Sequence, residues 1–237
     1  MKLSTPIYRL KRQAKQLSRE DAVPLNEALN RIAKREGFES WGLLAALHAR
    51  RGPATKILAA LSFGDLVLLG ARPGHGKTQM GLELIVEAIK TGNRAAFYSL
   101  EYIEKEVTEH FAALGVDINA SSDALTFDTS DKISADYIIN QLKTAPEGTV
   151  VVIDYLQLLD QDREKPTLKA QVAALKSFVE KAGLIVIMLS QIDRSYDAAI
   201  KALPDMADVR LPNPLDLTLF TKTVFLNNGD VILQAVS

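Results

Sequence analysis

The sequence predicts an α/β protein: a mostly parallel sheet flanked by helices, preceded by a small all-α N-terminal domain. Two observations lead there. From residue 63 onward, short β-rich runs at 65–70, 95–100, 149–154 and 184–190 alternate with helical patterns at 77–91, 103–114, 134–145 and 168–182. Alternation of this kind builds a parallel sheet covered by helices on both faces, and the strand runs are almost continuously apolar, as strands buried on both sides must be. The first fifty residues, by contrast, carry only the periodicity of helices.

Each element has its own signal. Ile7, Leu10, Ala14 and Leu17 recur at helical spacing with basic residues between them. Pro24 opens a second helix whose apolar face is Leu25, Ala28, Leu29, Ile32 and Ala33, and Gly37 is placed to end it. Ser40 can cap a third helix running through Trp41 and Leu44 to Arg51, and Trp41 serves as core, since so small a unit needs a large apolar group to fold. Gly52-Pro53 marks the boundary. The expected domains are thus a basic three-helix domain at 1–52 and an α/β domain at 56–237. Residues 125–127 add a weaker strand. Phe220 with the apolar runs 224–226 and 231–233 suggests a C-terminal hairpin turning at Asn228-Gly229, which would extend one edge of the sheet.

Composition narrows the functional classes. A chain of 237 residues, 47% hydrophobic and 24% charged, is globular and not disordered. It has no apolar run near the ~20 residues needed to cross a bilayer. Charges at Lys2, Arg9, Lys11 and Arg12, without an apolar stretch behind them, do not read as a secretory leader, so a cytoplasmic protein without membrane contact is expected. The absence of cysteine excludes disulfides, thiolate metal sites and thiol catalysis, and three scattered histidines make no metal cluster. Of 28 Lys and Arg and 29 Asp and Glu, 12 and 5 lie in residues 1–56, leaving 16 and 24 for the rest. A basic appendage and an acidic remainder suggest contact with a polyanion or docking on an acidic surface; a plainly solvated charged face is the other reading.

The most informative stretch is Ala71-Arg72-Pro73-Gly74-His75-Gly76-Lys77-Thr78, which follows the apolar run 66–69 and precedes a helical pattern. Strand, glycine-bearing loop and helix in that order form a cradle for a nucleoside triphosphate, because loop N–H groups and the helix N-terminus converge on phosphate oxygens. Lys77 would neutralise the β- and γ-phosphates and the Thr78 hydroxyl would coordinate Mg²⁺. His75 occupies a variable loop position and receives no catalytic role. Three further chemical groups end apolar strand runs: Glu101 after 94–100, Asp154 within 149–159, and Gln191 after 184–190. In open α/β sheets ligands sit beyond the C-terminal strand ends, where all of these fall.

Read in order, Ala-Arg-Pro-x-x-Gly-Lys-Thr at 71–78, Ser-Leu-Glu at 99–101, Ile-Asp-Tyr-Leu-Gln-Leu at 153–158 and Leu-Ser-Gln-x-x-Arg-Ser at 189–195 resemble the C-terminal ATPase domain of the DnaB-type replicative helicases. Alanine in place of the first glycine of the loop, as at Ala71, is common in that family. The resemblance covers roughly residues 57 to 237; the N-terminal bundle does not look like the larger helical N-terminal domain of those helicases. The resemblance implies a RecA-like sheet, Mg²⁺-dependent ATP hydrolysis, action on single-stranded DNA, and a homo-oligomeric ring of the hexamer type. A recombination or circadian-type RecA relative fits the phosphate loop equally well, but Ser-Leu-Glu and Ile-Asp-Tyr-Leu-Gln-Leu favour the helicase branch.

Phosphoryl transfer to water needs charge neutralisation, a held Mg²⁺ and an oriented nucleophile. Asp154 is expected to hold the metal's water shell, with a strand-end cap as the alternative. Glu101 is the candidate to polarise the attacking water; its alternative is an acid at the N-terminus of helix 103–114, favoured by the dipole. Gln191 is the candidate sensor of the γ-phosphate, with strand-end capping as the competitor. The family's Lys and Arg that complete a neighbouring subunit's site lie in a late-strand pattern resembling Ala-Lys-x-Arg-x-Gly. Lys222 matches it while Val224 stands at the arginine, and Arg210 in Asp208-Val209-Arg210 is the second trans-acting candidate. DNA contacts are expected from Arg163, Lys165, Arg194 and Lys201, set among five acids in 160–165 and 193–201. Because that is a thin electrostatic basis, the basic N-terminal helices are expected to carry part of the grip. A second class of function follows from the same features: an ATP-binding regulatory or assembly module with weak or no unwinding activity, whose DNA contact is made by the N-terminal domain.

Overall fold

A computed structural model describes residues 7–21, 23–50, 52–99, 104–114, 116, 123–154, 156, 159, 166–211 and 213–236. The chain divides into two compact units, Met1–Ala60 and Leu61–Ser237.

Every regular element described in the first unit is a helix: α1 (Ile7–Glu20), α2 (Leu25–Arg35), α3 (Trp41–Arg50) and α4 (Pro53–Ala60). Leu10 and Ala14 of α1, Ala28, Ile32 and Ala33 of α2 and Leu44 of α3 form its core, with Phe38 and Trp41 packed against it. Gly37 sits at a φ of 82° after α2, and the N–H groups of Gly37 and Phe38 donate to the carbonyls of Lys34 and Ala33. This left-handed stop satisfies carbonyls that the helix leaves open, and glycine is the residue that adopts it without strain. The Ser40 hydroxyl accepts from the N–H of Leu43 at the start of α3. A fourth helix stands where the sequence suggested only a break. Pro53 is its first residue, a position where the missing N–H costs nothing and the fixed φ suits the turn. The units therefore divide after Ala60 instead of at residues 52–56.

The second unit holds β1 (Leu66–Ala71), α5 (Lys77–Lys90), β2 (Ala95–Ser99), α6 (Glu104–Ala113), β3 (Leu125–Asp128), α7 (Ala135–Leu142), β4 (Val150–Asp154), α8 (Leu168–Ala182), β5 (Ile185–Gln191), β6 (Lys222–Asn227) and β7 (Asp230–Ala235). The seven strands run in the order β3-β2-β4-β5-β1-β6-β7, all parallel except the β6–β7 hairpin. Every residue of β1, β2 and β4 is buried. One face of the sheet, presenting Leu68, Tyr98, Ile153 and Met188, packs against Ile138 of α7 and Val172, Leu175 and Val179 of α8. On the other face α5 lies so close that a Cβ added at Gly81 would stand 3.0 Å from Val152 Cγ1 and 3.2 Å from Leu189 Cδ1. Burying each large apolar side chain in such a double-sided core contributes about 1.5–3 kcal/mol. The hairpin turns at Asn228-Gly229, both with positive φ, as a tight two-residue connection requires.

Candidate active site

The sheet order brings the ends of β2, β4, β5 and β1 side by side. Ala71 is the register partner of Gln191, and Ser99 that of Asp154. Between β1 and α5 the loop turns through a hydrogen bond from the His75 N–H to the Arg72 carbonyl, then enters the helix at Gly76, with φ 82°. No side chain caps α5. Its N-terminus thus lies at the C-terminal rim of the sheet with the partial positive charge of a helix start and, among the described residues, no side chain capping its N–H groups, an arrangement suited to phosphate.

Behind the loop, three side chains meet. Lys77 Nζ lies 3.2 Å from Asp154 Oδ1, the Thr78 hydroxyl donates to Asp154 Oδ2 at 2.8 Å, and Lys77 Nζ lies 3.4 Å from Thr78 Oγ1. Asp154 is fully buried, Lys77 and Thr78 nearly so. A buried carboxylate costs several kcal/mol unless paired and hydrogen-bonded, and here it has both kinds of partner. The adjacent hydroxyl and carboxylate form an oxygen donor set of the kind hard divalent cations take, so the residues fit Mg²⁺. In the loop itself the Nδ1 of His75 is buried without a hydrogen-bond partner among the described residues.

Gln191 ends β5 half-buried. The segment after residue 205 returns to it: Ile192 bridges Val209, the Asp193 N–H donates to the Asp208 carbonyl, the Arg210 N–H donates to the Gln191 carbonyl, and Arg210 Nη1 donates to Gln191 Oε1 at 3.4 Å. Sequence reasoning missed this contact within the chain; nothing local signals a bridge between residues so far apart. Because guanidinium only donates, it takes the amide oxygen and turns the Gln191 NH₂ group away from itself.

The remaining candidates are placed elsewhere. Lys222 begins β6, opposite Val67, so it lies at the other rim of the sheet from Ala71 and pairs with Asp65. Lys201 pairs with Asp205 and, at 2.7 Å, with Asp208. Those hydrogen bonds push the Lys201 ammonium up from its ordinary range and, with the Ala207 N–H, hold Asp205 down. Arg194 is exposed in the same loop, where the Ser195 N–H and side chain hold the Asp193 carboxyl low. Glu101, Arg163 and Lys165 lie outside the described residues.

A parallel sheet with this strand order and a glycine loop feeding an uncapped helix, backed by Lys, Thr and a strand-end Asp, defines a RecA-like P-loop nucleoside triphosphatase domain. Residues 58–203 match the family described as "ATPase: KaiC". The chain belongs to that family, and its second unit is a DnaB-like, RecA-type ATPase domain. The replicative DNA helicase DnaB of Synechocystis sp. is 28% identical over 184 residues, 63% of this chain and 21% of the relative. The DnaB helicase of Geobacillus stearothermophilus is 25% identical over 214 residues, 73% of this chain and 47% of the relative. Less than half of either helicase is therefore spanned. Among solved structures, that of a DnaB-like replicative helicase superposes with a TM-score of 0.58 at 19% identity, covering 92% of this chain and 66% of that one, a likeness of fold. No described helix is long and apolar enough to cross a membrane.

Proposed function

We propose that this chain is a Mg²⁺-dependent ATPase of the DnaB helicase type, hydrolysing ATP and acting on single-stranded DNA as a ring of identical subunits. The observation that carries the reading is the Lys77–Thr78–Asp154 cluster beneath an uncapped helix N-terminus. Thr78 and Asp154 would hold Mg²⁺, which supplies charge neutralisation to the β- and γ-phosphates. Lys77, which pairs with Asp154, would neutralise the β- and γ-phosphates, since a triphosphate offers its ammonium a more highly charged partner than a single carboxylate. Loop N–H groups and the start of α5 take the remaining phosphate oxygens. Glu101, two residues beyond β2, polarises the water, whose oxygen bonds to the γ-phosphorus as the bond to the β–γ bridging oxygen breaks. The Gln191 NH₂ donates to the γ-phosphate and transmits its loss to the loop that carries Arg194.

The test is ATP hydrolysis by the purified chain with and without single-stranded DNA, with Lys77→Ala as background. Stimulated turnover that vanishes in the variant supports the reading, and none in the parent protein overturns it. Oligomeric mass with a non-hydrolysable ATP analogue tests the ring. One observation favours the second reading, an ATP-binding assembly module: Lys222, a trans-acting candidate, is engaged within its own chain by Asp65, and Lys201, a DNA-contact candidate, by Asp205 and Asp208. A strand-displacement assay separates the two, since unwinding excludes the module reading.

A further inference from the structure

We infer that the exposed face of α1 is a binding surface for the sugar–phosphate backbone of single-stranded DNA. This deepens the function proposed above by relocating the nucleic-acid contact from the ATPase unit to the first unit.

The surface is defined by which residues of α1 the core does not use. Leu10 and Ala14 are buried and Leu17 is half-buried, while Lys11, Arg12, Lys15 and Arg19 are exposed. Lys11, Lys15 and Arg19 recur every four residues, so they form one line along the helix with a rise of about 6 Å between successive cations; Arg12 flanks it. None of the four takes part in an ion pair among the described residues, whereas the nearby Arg31 of α2 is held by both Asp21 and Glu27. Like charges four residues apart weaken a helix, so this line is a cost to folding that a polyanion would relieve. Regularly spaced cations matched to a regularly spaced anion are the basis of sequence-independent backbone binding.

Two features choose nucleic acid over other polyanions. A membrane-surface helix needs an exposed apolar face to insert, and the apolar side of α1 is already committed to the core. The ATPase unit offers little competing grip among its described loop residues, because Lys201, an expected DNA contact, is neutralised by Asp205 and Asp208, and the exposed Arg194 is a single cation next in sequence to Asp193.

The experiment measures binding of the full chain to a labelled oligodeoxythymidylate by anisotropy over a range of salt concentrations and without nucleotide, so that a failed ATPase reading leaves it intact. Three variants are compared. In the first, Lys11, Arg12, Lys15 and Arg19 are all changed to Glu. In the second they are changed to Gln, which removes repulsion within the helix and keeps the fold. The third reverses Lys56, Lys143, Lys169 and Lys181, exposed cations elsewhere, with the same change of net charge as the first. Loss of four phosphate contacts should weaken binding at least about tenfold and flatten the log–log salt slope by about 3 in the first two variants. The third should bind as the parent does. Parent-like affinity and slope in the Gln variant overturn the inference, as does equal weakening in the third variant, which would make the effect one of net charge. Binding of the parent to vesicles of anionic lipid but not to the oligonucleotide also overturns it.

Discussion

Two clusters of the same three residue types sit at opposite ends of the sheet. At the C-terminal rim Lys77 and Thr78 meet the buried Asp154. At the N-terminal rim Lys222 and the Thr221 hydroxyl meet the buried Asp65, which also accepts from the Ser62 N–H at 2.6 Å. Side-chain chemistry alone would rank them equally as sites. Their surroundings do not. The first lies under a glycine loop at a helix start that no side chain caps, so an incoming anion has donors waiting. The second closes β1 against β6, with the Thr221 N–H bonded to the Leu66 carbonyl, and its charges are consumed in holding two strands together. A Lys–Asp–Thr cluster becomes a site when backbone donors beside it are left for a ligand.

The comparison breaks most sharply on Lys77. Replacing it with Ala should lower kcat/KM for ATP by about 10²–10³-fold, the usual cost of losing one donor to developing charge; steady-state hydrolysis measures it, and a merely twofold loss would erase the distinction between the rims. Lys222→Ala should do the reverse. Removing one partner of a largely buried pair leaves Asp65 uncompensated, so denaturant unfolding should show a loss of about 3 kcal/mol, with turnover per folded molecule unchanged. If turnover falls and stability holds, Lys222 serves a neighbouring subunit instead.

A smaller effect sharpens the catalytic rim. Arg210→Ala releases the Gln191 amide oxygen, and a single hydrogen bond of about 0.5–1 kcal/mol predicts a kcat lower by about two- to fivefold with KM for ATP unchanged. A change in KM alone would place Arg210 in nucleotide binding. The smallest effect concerns pH. Asp205 is held below its ordinary range by Lys201, so its contribution is complete above the ordinary carboxylate pKa and is lost as pH falls through the lowered value. Lys201 is raised, so its contribution lasts until pH climbs through that raised value. Hydrogen-exchange protection across residues 197–208, corrected for the intrinsic pH dependence of amide exchange, should therefore be flat through neutrality and fall in acid and again in strong base. Both groups are more than a third exposed, so solvent screening keeps the change local.

Much of this was legible beforehand. The strands of the sheet and α5 to α8 could be read because a doubly buried strand has to be apolar throughout and each helix has to keep one apolar face. Lys77, Thr78 and Asp154 were legible for a related reason: a lysine after glycine, or an acid inside Val-Val-Val-Ile-Asp, has no structural need to be there. Pro53 was misleading, since the same residue that stops a helix is favoured at the start of one. Lys201 and Lys222 looked like free cations because the acids that neutralise them are identified by folding, not by neighbourhood: Asp65 reaches Lys222 only through the pairing of β1 with β6.

The amino-acid order alone determined the α/β class, the strand, glycine loop and helix around 71–78 and the placing of Asp154 and Gln191 at strand ends, because periodicity, backbone freedom and the rarity of buried charge are local properties. The folded chain decided which cations remain available. An ion pair or a hydrogen bond between distant segments depends on where they come to rest, so only the tertiary structure could pair Lys222 with Asp65 and bond Arg210 to Gln191, while leaving the line of cations on α1 open to solvent.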